Sequence, residues 1–460
     1  MRSAELVVLG AGPAGIGAAY RAARAGRSVV VLERSQGVGG AAGSFEVAGV
    51  RVDHGSHRLH PSIRPEILTE LRRLLNDDLQ LRRRRGRIRL LDRWIDFPLR
   101  AGDLVRHLPR SFALKAARDA VVAPFRCPRA DTFADVVQAA LGPAMGHSFY
   151  FPYARKLWGV EPGELSGEQA RRRVSARSPL AVLVRALRGS GPARNVFYYP
   201  RGGYGSITER LAEGAVEAGA EIRLGSPVAG VELAEAARVW LADGSRVEGG
   251  QVWSTIPLPA LARMTTPSPP AQVLQAAAGL KSRAMLLVYL VLERPRFSHF
   301  DAHYLPGPET PVSRLSEPKN YRDGPDPPDR TVLCLEVPCR AGGELWAMDH
   351  QMLAEYLVAS LEPLGLPPLR PSAAVVRRLS AAYPIYRRGF EEAFAGLLDW
   401  ADSQPRLLTF GRQGLFAHDN THHALAMAWE AVDALGNGEV VDRSRWATAR
   451  QGFRSHVVED

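Results

Sequence analysis

The chain opens on an unbroken apolar stretch. Residues 6–9 read Leu-Val-Val-Leu, and no charge follows until Arg21. A run of this kind predicts a strand buried on both faces. Small apolar residues at helical spacing then predict a helix over 16–25, and residues 29–32 predict a second buried strand. Further on, the pattern predicts an amphipathic helix over 207–218 and a strand over 221–224. A hairpin is expected over 228–241, turning again at Asp243-Gly244, with another strand over 252–256. Apolar runs at 285–292 and 332–337 predict strands of an antiparallel sheet. Residues 407–410 predict a strand. Residues 421–435 predict a helix that begins after Asp419-Asn420, both good helix caps. The stretch from about 91 to 195 reads mostly helical, with prolines at several breaks, and the proline-rich segments 306–311 and 325–328 read as loops.

The turn between the first strand and the first helix carries chemistry. Gly10, Gly12 and Gly15 stand at the spacing G-x-G-x-x-G. The first glycine permits a tight turn, the second lets backbone approach a pyrophosphate, and the third lets helix and strand pack closely. A pyrophosphate then sits at the helix N-terminus, where free N–H groups and the dipole favour negative charge. Glu33 closes the second strand, 23 residues beyond Gly10, placed to accept hydrogen bonds from a ribose. Strand, glycines, helix, strand and acid in this order point to a bound dinucleotide.

Composition narrows the setting. The chain has 460 residues, 46% of them hydrophobic, enough for a globular protein of two or three parts. The formal charge is +11, and of 59 basic residues only Lys115, Lys156, Lys281 and Lys319 are lysines. An arginine surplus suits an anionic substrate or surface. The densest run, Arg82 to Arg85, reads as a solvated loop or hairpin edge. Nothing interleaves aromatic with basic residues, so no nucleic-acid partner is expected. Cys127, Cys334 and Cys339 form neither a C-x-x-C motif nor a disulfide framework, which suits a reducing, cytoplasmic setting. The first strand starts at once, so no signal peptide is expected. No apolar run approaches the roughly 18 residues that span a bilayer. Residues 104–125 mix arginine, lysine and apolar positions, which suits either peripheral contact with a membrane or packing on the rest of the protein.

The residues after Glu33 carry a likeness. Glu33-Arg34 is followed by Gly39-Gly40-Ala41 and then by Asp53-His54-Gly55-Ser56-His57. E-R-x-x-x-x-G-G with a D-x-G-x-H segment resembles the FAD-binding end of the amine oxidase, protoporphyrinogen oxidase and UDP-galactopyranose mutase superfamily. The resemblance implies FAD as cofactor and an α/β fold. In it, a Rossmann-type FAD-binding domain (1–90, 196–260 and 400–445) is interleaved with a substrate domain. The helical part of that second domain would span 91–195 and its antiparallel-sheet part 262–395. Around the cofactor it implies Gly10, Gly12, Pro13, Ala14, Gly15, Glu33, Arg34, Gly39, Gly40, Ala41, His57, Val228, Gly411, Arg412, Asp419, Asn420 and His422. The helix over 421–435 would point its N-terminus at the flavin N1–C2=O edge and stabilise the reduced, anionic ring by roughly 1 kcal/mol.

Several stretches look like the mutases in particular. They are Asp53 through His60, Phe97-Pro98-Leu99, Tyr153 through Gly159 with Glu164-Leu165-Ser166 and Arg173-Val174, Tyr199 through Tyr204, Ser313-Arg314, Ala382-Tyr383-Pro384, and Gly411 through His423. The likeness implies that Arg173, Arg314 and Tyr383 hold a substrate diphosphate, since a planar guanidinium bonds phosphate oxygens in pairs. Trp158 would line the sugar side. His418 stands where the mutases carry a second diphosphate tyrosine, and residues 191–196 lack their aromatic platform for uracil. Two chemistries therefore stay open. One is an FAD-dependent oxidoreductase moving a hydride between flavin N5 and a small, potentially anionic substrate. The alternative is a mutase-like isomerase using reduced FAD on a sugar-nucleotide. A non-catalytic FAD protein is a third, weaker reading. His418 favours the first; Arg173, Arg314 and Tyr383 favour the second. His57 is expected to hydrogen-bond near the flavin. His54, His57 and His60 stand three apart without acids or cysteines to complete a site, so no metal is expected. The oligomeric state stays open.

Overall fold

The computed structural model describes residues 4–98, 101–122, 131–173, 195–234, 237–438 and 440–458. Cys127, Leu99, Val174 and residues 123–125 and 191–194, named above, lie outside them.

The strand Ala4–Leu9 sits in the middle of an eight-stranded sheet. It runs parallel to Val29–Leu32 on one side and to Arg246–Ser254 on the other. Glu221–Arg223 extends the sheet in parallel beyond Val29–Leu32, and Leu407–Thr409 pairs in parallel with Arg246–Ser254. The hairpin Val228–Leu233/Ala237–Leu241 follows on the other side, and the short strand Thr265–Thr266 forms that edge. The apolar opening run has a direct explanation here. Leu6 and Val8 face the helices Pro13–Arg24, Ser206–Glu217 and Thr421–Leu435, whereas Val7 and Leu9 face the hairpin, Leu258, Leu261 and Leu397. Successive strand residues point to opposite faces, so a strand covered on both sides must be apolar throughout. Gly17 sets the spacing of two of these helices. A Cβ there would meet Leu425 Cδ2 at 2.9 Å, so only glycine allows Pro13–Arg24 and Thr421–Leu435 to pack this closely.

A second sheet has seven strands, in the order Ala373–Pro384, Ser282–Leu292, Thr331–Cys339, Arg314–Ser316, Ala302–Tyr304, Gly86–Leu90 and Arg93–Phe97. Its long strands are also covered twice. Leu286, Val288 and Leu290 pack under the helix His350–Leu361, while Met285, Leu287 and Tyr289 pack on Val47, Val50 and Val52. Those three valines belong to the hairpin Ser44–Val47/Val50–Asp53, which therefore ties the second sheet to the segment following Glu33. One expectation is corrected by the pairing: Gly86–Leu90 joins this second sheet beside Ala302–Tyr304, so the chain leaves the first part before residue 90. Arg82 and Arg83 lie on the strand Leu79–Arg83, which pairs with Val196–Pro200, and Arg82 pairs with Asp323.

Residues 101–122 form the helices Ala101–His107 and Arg110–Val122, on which Leu114, Val121 and Val122 are exposed. Among the described residues no helix is long and apolar enough to cross a membrane. The helix Phe133–Met145 starts at Thr132, whose hydroxyl and backbone exchange hydrogen bonds with Asp135 in a capping box. The helices Phe151–Trp158 and Gly167–Arg173 follow it.

Candidate active site

The glycine turn is shaped by backbone sterics. Gly10 has φ of +97°, a left-handed conformation that a side chain would strain. A Cβ on Gly15 would fall 1.9 Å from the Gly10 carbonyl oxygen, so helix and turn can meet only with glycine at 15. Gly12 differs: a Cβ there would meet nothing within 4 Å. Its smallness serves no internal contact, and the space it leaves lies at the N-terminus of Pro13–Arg24. Gly39 N–H donates to the Ala11 carbonyl at 2.8 Å and draws Gly39 and Gly40 over the same turn. Gly411 closes the other side, with Ala14 Cβ 2.7 Å from where its own Cβ would stand.

Glu33 is already engaged. Its Oε2 accepts from Ala11 N–H at 2.8 Å, and its Oε1 accepts from the Ser35 N–H at 2.9 Å and hydroxyl at 2.7 Å. A carboxylate offers about four lone-pair sites, so roughly one remains for a ribose hydroxyl. Ser226 N–H donates to the Glu33 carbonyl at 2.7 Å, which brings the start of the Val228–Leu233 strand beside the acid. Arg34 is exposed, as are Gly40 and Ala41. An open cradle at a helix N-terminus, flanked by a carboxylate and by glycine backbone, fits a dinucleotide.

Asp53 is the hub of the following motif. Its Oδ1 accepts from the Ser44 hydroxyl at 2.6 Å and Tyr204 N–H at 3.0 Å, and its Oδ2 from the Tyr199 hydroxyl. Its carbonyl accepts from the Tyr289 hydroxyl at 2.6 Å. One residue thus joins the hairpin, the strand Val196–Pro200 with the turn after it, and the second sheet. His57 stacks on Tyr204 at 5.2 Å, and its Nε2 approaches the His54 carbonyl at 3.1 Å. Burial holds its pKa below the usual histidine value, so at neutral pH it is an uncharged ring. His54, His57 and His60 turn to different partners: His54 Nδ1 to Gly40 O, His57 to His54 O, and His60 Nδ1 to the Ser62 hydroxyl.

Arg173, Tyr383, Arg412 and His418 do come together. The Arg173 and Arg412 guanidinium carbons lie 4.9 and 5.3 Å from the Tyr383 ring centre. Arg412 also donates to the Ala382 carbonyl at 2.8 Å, Gln413 to Ala381 at 3.0 Å, and the Tyr386 hydroxyl to Phe416 O at 2.7 Å. These bonds fasten residues 411–418 to the end of the strand Ala373–Pro384, which joins the two sheets at this point. His418 is fully buried, stacked beside Tyr383 and edge-on to Trp158 and Tyr386. Gln169 Oε1 accepts from Tyr386 N–H at 3.0 Å, which turns its amide nitrogen toward His418 Nε2 at 2.8 Å. His418 also bonds the Pro384 backbone. Burial first, then Arg173 and Arg412, hold its pKa well below the histidine norm. His418 is therefore a neutral, hydrogen-bonded ring beside Tyr383 rather than a proton carrier at neutral pH.

Arg314 belongs to another cluster. Its Nη2 bonds both carboxylate oxygens of Glu336, at 2.8 and 2.9 Å, its Nε bonds Oε1 at 3.0 Å, and Nη2 also reaches Ser56 O at 3.2 Å. Both side chains are buried. Sequence reasoning missed Glu336, Gln169 and Tyr386, because none stands in a motif and each is brought in by a neighbouring element.

At the N-terminus of Thr421–Leu435, Asn420 is the N-cap, and its N–H meets His423 Nδ1 at 3.2 Å. His422 is buried, with Nε2 3.3 Å from the Ser62 hydroxyl. Asp419 turns its Oδ1 to His456 Nδ1 at 3.1 Å.

Comparison with known proteins gives these features a context. A family model described as flavin containing amine oxidoreductase matches residues 13–431. No curated protein matches the chain. Among solved structures, reduced UDP-galactopyranose mutase is 20% identical with a TM-score of 0.81, covering 98% of this chain and 97% of its own. An Exiguobacterium sp. 255-15 protein assigned as a protoporphyrinogen oxidase is 19% identical with a TM-score of 0.72, covering 98% and 99%. Putrescine oxidase bound to putrescine is 17% identical with a TM-score of 0.66, covering 98% and 99%. At these identities the structures share the fold.

Proposed function

From the premise that the chain belongs to the flavin containing amine oxidoreductase family, we propose that it transfers a hydride between a small organic substrate and flavin N5. FAD is the cofactor. When bound, FAD supplies the two-electron chemistry, and the protein supplies binding, orientation and electrostatics. Gly12 and the N-terminus of Pro13–Arg24 would receive the pyrophosphate. Glu33 would hold a ribose hydroxyl. Asn420 and the N-terminus of Thr421–Leu435 would face the flavin's pyrimidine edge. Arg173, Arg412, Tyr383, Trp158 and His418 would line the substrate chamber.

The observation that carries this reading is the Arg314–Glu336 pair. A diphosphate clamp needs an arginine whose charge is free for the ligand, and Glu336 already neutralises Arg314 in a buried, two-pronged contact. What remains is a chamber with two guanidinium groups on one tyrosine and a neutral imidazole. Such a chamber repels a substrate ammonium and favours a neutral or carboxylate-bearing substrate. The isomerase reading keeps one supporting observation, the joint placement of Arg173 and Arg412 on Tyr383.

The test uses purified protein loaded with FAD. Bleaching of the oxidised flavin by a substrate alone, with no added reductant, supports hydride transfer. Ring contraction of UDP-galactose that occurs only after dithionite reduction overturns it in favour of the isomerase.

A further inference from the structure

Residues 82–85 are four consecutive arginines, where the chain passes from the strand Leu79–Arg83 to the strand Gly86–Leu90. The link is held by its backbone. Arg84 N–H donates to Asn195 O at 2.8 Å, Arg85 N–H donates to Asp301 Oδ2 at 2.9 Å, and Asp301 N–H returns a bond to Arg85 O at 2.8 Å. The segment 296–300 is fixed as well. Glu317 accepts from the N–H groups of Phe297 and Ser298 at 2.8 and 3.0 Å, and Asn320 Nδ2 donates to the carbonyls of Ser298 and Phe300 at 3.0 and 2.8 Å. Between the two segments lies a cavity of about 250 Å³, whose lining includes Arg82, Arg83, Arg85, Arg296, His299 and Asp301.

The charges around this cavity do not balance. Its lining holds four guanidinium groups and one carboxylate. That carboxylate is already matched: Asp301 Oδ1 accepts from Arg58 Nη2 at 3.0 Å, with both side chains buried. Arg82 pairs with Asp323. Glu317 follows in sequence on the neighbouring element, but it is buried and gives its oxygens to Phe297, Ser298, Asn320 and Thr331. Among the described residues Arg83, Arg85 and Arg296 form no ion pair. Three like charges beside one recess repel one another until a counter-ion enters, and a cleft walled by one sign of charge concentrates anions.

We propose that this cavity binds the diphosphate or triphosphate group of a small ligand, with Arg83, Arg85 and Arg296 as its main contacts and Arg82 and His299 beside them. The residue types select phosphate. A guanidinium offers a planar fork to pairs of phosphoryl oxygens, and arginines arriving from two segments can surround a tetrahedral group. One phosphate ester carries about −1.5 to −2 at pH 7, so three unmatched arginines call for more than one phosphoryl group. None of the lining residues belongs to the dinucleotide cradle or to the substrate chamber. The site is independent of which reaction the chamber performs.

The test is calorimetric titration of the FAD-loaded protein with inorganic diphosphate at about 0.15 M salt, where long-range attraction is screened. One diphosphate per chain is expected, bound roughly tenfold tighter than inorganic phosphate or citrate. Arg83→Gln and Arg296→Gln alter exposed side chains and should each weaken binding roughly tenfold. Arg210→Gln removes an equal charge from the exposed face of Ser206–Glu217 and should leave the constant unchanged, as should Arg173→Met in the chamber. Unchanged flavin content and melting show that each variant is folded. No saturable binding by the unmodified protein overturns the proposal, as does an equal loss in Arg210→Gln, which would mark a response to net charge alone. A loss confined to Arg173→Met overturns it by placing diphosphate in the chamber. Citrate binding as tightly as diphosphate overturns the assignment to phosphate.

Discussion

Arg314 and Glu336 stand directly opposite each other on neighbouring antiparallel strands, and their side chains close a buried two-pronged ion pair. Glu336 also accepts from Ser56 N–H at 2.7 Å, so the pair fixes the segment that carries His57. A buried charge stripped of its partner is costly. Glu336→Ala should destabilise the protein by roughly 3–5 kcal/mol, because it leaves a desolvated guanidinium behind. Glu336→Ala/Arg314→Met should recover much of that loss, since it removes the stranded charge as well. Denaturant unfolding of the two variants checks this. Equal losses in both would show that the charge was not the cause.

The glycine turn separates folding from cofactor binding. A methyl at Gly12 points into open space, and its backbone is extended with φ of −75°. Gly12→Ala should therefore fold as well as the parent and lose FAD affinity by about tenfold or more, which corresponds to about 1.4 kcal/mol. A methyl at Gly15 collides with the Gly10 carbonyl. Gly15→Ala should cost about 1–3 kcal/mol in the cofactor-free protein itself. Melting of the apoprotein and flavin titration together distinguish the two. An unstable Gly12→Ala apoprotein would contradict the open cradle.

Stability should fall on the acid side. His57, His418 and His423 all have folded pKa values below the ordinary value of 6.5. Below about pH 6.5 the unfolded chain takes up protons that the folded chain refuses. Their stabilising contribution is therefore complete above that pH and is lost as pH drops. Each such group adds up to about 1.4 kcal/mol per pH unit to the slope. His418→Gln keeps a neutral partner beside Gln169 and should reduce the slope between pH 6.5 and 5 by up to one proton. Chemical denaturation across that range measures it, and an unchanged slope would mean that His418 titrates normally.

Local pattern carried the first sheet, because period and burial coincide in it. Residues 6–9 had to be apolar throughout once helices covered both faces, and the helix Thr421–Leu435 matches its sequence prediction at both ends. The motif likeness grouped Arg173, Tyr383 and His418 from three separate segments, but it set Arg412 beside the cofactor and Arg314 among them, whereas Arg412 stands over the Tyr383 ring and Arg314 pairs with Glu336. The partner of Arg314 was not legible. It is set by strand register, which decides that residue 314 faces 336, and no local periodicity encodes a register between distant strands. Lys156 shows the same limit from the other side. It stands in the mutase-like stretch Tyr153 through Gly159, yet its Nζ donates to the carbonyls of Leu305 and Val312 at 2.5 and 3.0 Å, fastening a helix to a loop of the second sheet.

Charge in the substrate chamber gives the last prediction. Two guanidinium groups stand over the half-buried Tyr383 ring, beside an imidazole held neutral, and place positive charge there. Small carboxylates such as benzoate should bind there and perturb the flavin spectrum, whereas benzylamine at the same concentration should not. Arg173→Met keeps the side chain's bulk over the ring and removes its charge. The dissociation constant for benzoate should then rise by about tenfold, equivalent to about 1.4 kcal/mol, the scale of one charge-assisted hydrogen bond. Tyr383→Phe retains the ring face that the guanidinium groups use, so its effect should be several times smaller. Spectral titration of the FAD-loaded protein reads all three constants. Tighter binding of the amine than of the carboxylate would show that the chamber's charge is compensated in solution and that its substrates are cations.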